Sequence, residues 1–172
     1  MMDTALKNHI TTVLGSFPAV VAHVRVAQQH LSCMVNGIMT AEYPVSTAAR
    51  GTGNREGSNQ TPLGVHRIAE KYGDNAPVGR ILRDRCDTGN LWRPGDPSAD
   101  LVLTRILRLE GMESGVNRGP GIDSYERYIY IHGTSKEALI GTPVSHGCIV
   151  MRNADVIDLF NRVKEGDCVC ID

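Results

Sequence analysis

The dipeptide Asn36-Gly37 does most to limit what this chain can fold into. Both central residues of a two-residue hairpin loop need positive φ, which glycine and asparagine adopt at least cost. The runs on either side have an extended pattern. Leu31, Cys33 and Val35 alternate with Ser32 and Met34, and Ile38 to Val45 leads away on the far side. Ahead of them Val24 and Val26 alternate with His23 and Arg25. Alternation of this kind sends one face of each run into a core. The body of the chain therefore opens, near residue 22, as an antiparallel meander.

The remainder reads as more strands, long loops and two helices. Residues 46–62 are rich in Ser, Thr, Gly and Asn and form a loop, and Leu63 to Tyr72 is extended. Residues 73–100 contain Pro77, Pro94, Pro97 and several glycines, and residues 111–126 contain Asn117-Arg118-Gly119-Pro120-Gly121, so both read as irregular. Between them Leu101 to Leu109 alternates as a strand, with Leu101, Leu103 and Arg105 on one face. Tyr128 to Ile131 is a short aromatic and β-branched strand that delivers His132 at its end. Helical spacing occurs at Leu6, Ile10, Val13 and Leu14, within residues 1–21, a docking helix or loose arm. It recurs at Val156, Ile157, Leu159, Phe160 and Val163, with Asn153 as N-cap and Gly166 as stop. Cys168 to Ile171 closes as a final strand. At 172 residues the chain suits one domain, mainly β, over residues 22–172.

Charge and composition exclude some classes of partner. A formal net charge of −1 gives no bulk attraction to nucleic acid. The densest basic cluster, Arg80, Arg83 and Arg85, reads as a solvated face or a substrate-facing loop. No run approaches the roughly 20 apolar residues of a membrane span. At the N-terminus Asp3 offsets Lys7, and the apolar run from Phe17 to Ala22 is short and closed by His23 and Arg25. That pattern is not a signal peptide, so a cytoplasmic protein is expected, or a periplasmic one if the N-terminus has been trimmed. The five cysteines are odd in number and irregularly spaced, which suits reduced thiols. Cys168 and Cys170 would share one strand face as small core residues.

The segment from His132 to Cys148 concentrates reactive side chains: His132, His146 and Cys148, each beside a glycine. A thiol attacks as thiolate, and with a free pKa near ~8.5 it needs help at neutral pH. A neighbouring imidazole can take the proton and later return it to a leaving amine. Gly147 permits a tight turn that aims backbone amides at one point, where an oxyanion would form. Spacing leaves a second reading open, a His-His-Cys metal site made of His132, His146 and Cys148.

Ser145-His146-Gly147-Cys148-Ile149 with Asn153, preceded by His132-Gly133-Thr134, closely resembles the signature of the L,D-transpeptidase (YkuD-type) catalytic domain. Tyr43-Pro44-Val45-Ser46-Thr47 and Thr61-Pro62-Leu63-Gly64 resemble that domain's early strands and substrate-side loop, so the resemblance spans roughly residues 22–172. It implies a β-rich, sandwich-like domain with its cysteine in a cleft under a loop lid, for which residues 73–100 and 111–126 are the candidates. It sets the metal reading aside and implies no cofactor. The implied chemistry is attack on the L-to-D bond before the terminal D-alanine of a peptidoglycan stem tetrapeptide, through an acyl-enzyme. By matching position, Cys148 is the nucleophile, His132 the base and His146 a pocket residue. The Gly133 carbonyl would hold the His132 tautomer, and the amides at His146, Gly147 and Cys148 would form the oxyanion hole. Thr134, Ser145 and Arg152 complete the substrate-binding set.

The chain departs from the family pattern at Val150, where the family usually has arginine. Were the segment extended, Arg152 would point to the same side and partly replace that cation; it reads equally well as an ordinary surface residue. With a cytoplasmic location the expected activity is hydrolytic: an L,D-carboxypeptidase trimming muropeptides or soluble precursors. Cross-linking in the periplasm and a non-catalytic stem-peptide-binding module are the alternatives.

Overall fold

The computed structural model describes residues 2–97 and 99–172. The opening meander is β1 (Val20–Arg25), β2 (His30–Val35) and β3 (Ile38–Pro44), paired antiparallel. Asn36 and Gly37 turn it at φ 51° and 78°, the left-handed values that the hairpin demands. The other strands are β4 (Gly64–Tyr72), β5 (Arg80–Arg83), β6 (Cys86–Leu91), β7 (Val102–Gly111), β8 (Tyr130–Thr134), β9 (Ile149–Met151) and β10 (Cys168–Ile171). They join one mixed sheet in the order β3-β2-β1-β10-β4-β7-β5-β6, with β8 and β9 added from β7. The helices are α1 (Thr4–Leu14) and α2 (Asn153–Arg162). This is the mainly β fold with an N-terminal helix and a helix after Cys148.

Apolar side chains lie on both faces of the sheet. On one face Leu31, Leu107, Ile131, Ile149 and Met151 pack with Val156, Leu159 and Phe160 of α2. On the other, Ile10 of α1 covers Val21, Met34, Val65, Cys168 and Cys170. Residues 1–21 thus include a docked helix, started by the Asp3 side chain and ended by Gly15 in the left-handed region.

Several boundaries differ from those that the sequence suggests. Residues 80–91 form the β5–β6 hairpin, which apolar patterning missed because most of these side chains are exposed. Its turn, Asp84-Arg85, also has φ positive at both positions. Alternation in β7 breaks at a bulge between Leu103 and Ile106, with Thr104 at φ 75°. Tyr128, at φ 55°, precedes β8, so His132 sits inside the strand and not at its end. Asn153 is the first residue of α2, and Arg152 takes the N-cap position. The Asn153 side chain ties elements together: Thr104 Oγ1 donates to it at 2.6 Å, and it donates to the Thr134 carbonyl and Glu137, each at 2.8 Å.

Candidate active site

Strands β8 and β9 run parallel in the register Ile131↔Ile149, His132↔Val150 and Gly133↔Met151. That pairing lays the end of the 145–148 turn beside β8. Cys148 comes directly before β9. Its Sγ accepts from the Tyr130 N–H at 3.4 Å and its S–H donates to the Tyr128 carbonyl at 3.6 Å. His132 is buried, and its Nδ1 lies 2.7 Å from the Gly133 carbonyl. A carbonyl can only accept, so Nδ1 carries the proton and Nε2 keeps a lone pair. Cys148 and His132 line one cavity of about 310 Å³, together with Thr134, Ser145, His146 and Val150.

The turn before Cys148 is held from two sides. Ser145 Oγ donates to the Cys148 carbonyl at 2.6 Å and accepts from the Gly147 N–H at 3.3 Å. Thr61 Oγ1 donates to the Gly147 carbonyl at 3.0 Å. The Thr47 carbonyl accepts from the amides of Val144 and Ser145, each at 2.9 Å. Gly147 has φ 133°, and a Cβ there would lie 3.3 Å from the Gln60 carbonyl oxygen and from Ile129 Cδ1. With the Gly147 amide engaged by Ser145, the amides of His146 and Cys148 are the ones that meet no protein acceptor among the described residues.

Burial dominates the electrostatics of the pair. It pushes the Cys148 thiol up to about 11, against the Tyr130 N–H and the charge of Arg127, which pull it down. It also lowers the His132 imidazole, against the Gly133 carbonyl and the charge of Asp100. Both shifts favour the neutral forms, so the resting pair is a neutral thiol and a neutral imidazole lining one cavity. At the mouth, Asp100 lies 2.8 Å from Lys136 Nζ and 3.3 Å from His146 Nδ1. The His146 side chain is 74% exposed.

Arg152 is the sequence-suggested site residue that this geometry moves away. It is exposed and does not line the cavity. The reason is local: β9 ends at Met151 and the chain turns into α2, so strand alternation never reaches Arg152. Val150 itself lines the cavity and is buried. Gly133 and Gly147 act through their backbones. Arg127, Asp100 and Lys136 also line the cavity, though no motif in the sequence marks them. Asp100 and Arg127 lie at the C-terminal edges of the two irregular stretches, where pattern carries no signal. Among the described residues no three His, Cys, Asp or Glu side chains converge as a metal site.

The family model for the L,D-transpeptidase catalytic domain (YkuD) matches residues 19–171. The chain belongs to that family. It is 30% identical over 112 residues to the probable L,D-transpeptidase YbiS of Escherichia coli K12, a match covering 61% of this chain. The same match covers 34% of YbiS, so the chain spans about a third of that relative's length. An L,D-transpeptidase from Mycobacterium smegmatis superposes with TM-score 0.57 at 18% identity, over 91% of this chain and 60% of that one. L,D-transpeptidase 3 from Mycobacterium tuberculosis, in complex with a faropenem-derived adduct, gives TM-score 0.56 at 19% identity, over 91% and 61%. Both structures share the fold described above.

Proposed function

We propose that this chain is a cysteine acyl-transfer enzyme that cleaves the L-to-D bond before the terminal D-alanine of peptidoglycan stem tetrapeptides, with water as acceptor. The observation that carries this reading is the shared cavity: Cys148 and His132 line one space, and the Gly133 carbonyl fixes the tautomer that leaves His132 Nε2 as the base. As Sγ attacks the carbonyl carbon, its proton passes to Nε2 and the amides of His146 and Cys148 meet the oxyanion. The imidazolium then protonates the departing amine of D-alanine, leaving a thioester. His132 next takes a proton from water, the resulting hydroxide adds to the thioester, and its collapse frees the tripeptide acid and restores the thiol.

Exposure at the mouth of the cavity favours hydrolysis. An acyl-enzyme that waits for an amine needs water kept out, whereas His146 and Asp100 stand largely exposed at this entrance. Soluble muropeptides or precursors in the cytoplasm are the proposed substrates, a setting that suits the free thiols of all five cysteines. The cross-linking reading draws support from a groove of about 700 Å³ that shares Asp100, Leu101, Val102 and Tyr128 with the cavity and could seat an acceptor.

Incubation with purified tetrapeptide, followed by mass, separates these readings. Tripeptide and free D-alanine are expected, and Cys148→Ala should abolish both. Dimers or D-amino-acid exchange without tripeptide would overturn the hydrolytic reading. A carbapenem should add its mass to Cys148; muropeptide binding with no such adduct would identify a binding module.

A further inference from the structure

The acidic and basic side chains lining the catalytic cavity are Asp100, Arg127, His132, Lys136 and His146. Four of them are accounted for: Asp100 is met by Lys136 and His146, and His132 is held by Gly133. Arg127 differs. Its guanidinium donates to the Gln60 carbonyl at 2.6 Å, to the Gly53 carbonyl at 3.2 Å and to Ser58 Oγ at 3.5 Å. All three acceptors are neutral, and among the described residues no carboxylate comes within ion-pair reach of it. Glu56 acts on it only at longer range. Its positive charge is thus fixed in place with no carboxylate at ion-pair distance, and Glu56, Asp123 and Glu126 face it only across a neighbouring pocket.

The clamp sits directly on the nucleophile's turn. The Gln60 carbonyl that Arg127 grips is the one lying against Gly147, and the next residue, Thr61, donates to the Gly147 carbonyl. The charges are also sorted across the reacting pair. Arg127 acts on Cys148, while the cavity's one acidic side chain, Asp100, acts on His132. Proton transfer from Sγ to Nε2 creates a negative sulfur and a positive imidazole, the two signs that these neighbours favour.

We propose that Arg127 is a positioning residue for Cys148, holding a guanidinium charge in the cavity that the thiol shares, against the turn that carries it, so that the sulfur can ionise as it attacks. This rests on Cys148 being the nucleophile, and it can be tested without any peptide substrate. The rate of Cys148 alkylation by iodoacetamide, followed by peptide mass across pH, reads thiolate formation directly. Arg127→Gln, which can still donate to Gln60, should slow alkylation at neutral pH about tenfold and move the profile up by about one pH unit. Arg127→Lys should stay within about threefold of the parent, because the charge remains. Ser58→Asp, which brings a carboxylate to the guanidinium, should slow alkylation in the same direction and serves if Arg127→Gln fails to fold. A folded Arg127→Gln or Ser58→Asp variant with the parent's profile would overturn the proposal. So would an Arg127→Lys variant as slow as Arg127→Gln, since the clamp and not the charge would then matter. Failure of the nucleophile assignment looks different: Cys148→Ala would keep its turnover of tetrapeptide.

Discussion

A thiol pushed up to about 11 begins each turnover protonated, so removing its proton belongs to the attack itself. The acid side of the rate profile then reports His132. Burial lowers that imidazole from its ordinary 6.5, so the basic form persists to more acidic pH and is lost only as pH falls through the lowered value. kcat/KM on tetrapeptide should therefore fall off with an apparent pKa below 6.5. An acid limb at or above 6.5 would remove His132 from the role of base. At this scale the sequence was informative where a glycine adjoined a reactive group. His132, His146 and Cys148 stand out as candidates because Gly133 and Gly147 adjoin them: a Cβ at Gly133 would clash with Asn153 Oδ1, and Gly147 has φ 133°. Arg127 does not, since a single arginine just past an irregular stretch has no pattern around it. Arg152 lies away from the cavity because strand alternation stops at Met151, one residue before it.

Among the elements, α2 shows how the sheet finishes a helix that has no glycine at its immediate C-terminus. Lys71 of β4 donates to the carbonyls of Phe160 and Val163, each at 2.6 Å, and its Nζ lies 3.9 Å from the centre of the Phe160 ring. Orphan carbonyls at a helix end favour a cation, through hydrogen bonding and the helix dipole together. Lys71→Met keeps the packing stem and loses the donors, so it should lower stability by about 1–2 kcal/mol, read as a drop in urea midpoint. An unchanged midpoint would mean that water satisfies those carbonyls equally well. The central strands could be read from periodicity because one of their faces is buried. The β5–β6 hairpin could not, as Cys86 to Leu91 is half-exposed or exposed throughout. The bulge in β7 is similarly invisible to a two-residue period, because it arises from tertiary ties of Thr104 to Gly79 and Asn153.

Across the whole molecule, one buried histidine outside the cleft couples folding to acidity. His66 is fully buried, with Nε2 2.9 Å from Ser124 Oγ and Nδ1 3.0 Å from the Gly64 carbonyl. Burial pushes it down from the ordinary 6.5 to about 4. The unfolded chain binds the proton first, so the folded state keeps its full margin above 6.5 and loses it as pH falls toward 4. The loss should reach roughly 3 kcal/mol, and His66→Gln should flatten the pH dependence of the urea midpoint over that interval. A slope unaltered by the substitution would assign the acid sensitivity elsewhere. A mainly β domain was legible at this scale, and so was the helix of residues 1–21. The sequence did not reveal that this helix roofs a second core on the outer face of the sheet, because helical spacing shows an apolar stripe and not what it covers.

The parallel pairing of β8 with β9 has a consequence for how such a domain can change. Thiol and imidazole are spaced by a strand ladder, while the chain joining them makes an excursion through residues 135–144, exposed at Leu139 and Thr142. Catalytic geometry and covalent connectivity are therefore separable. A protease nick near Thr142 would leave two pieces that still present both groups across the ladder, and an insertion there could add reach toward larger substrates while the reacting pair keeps its spacing.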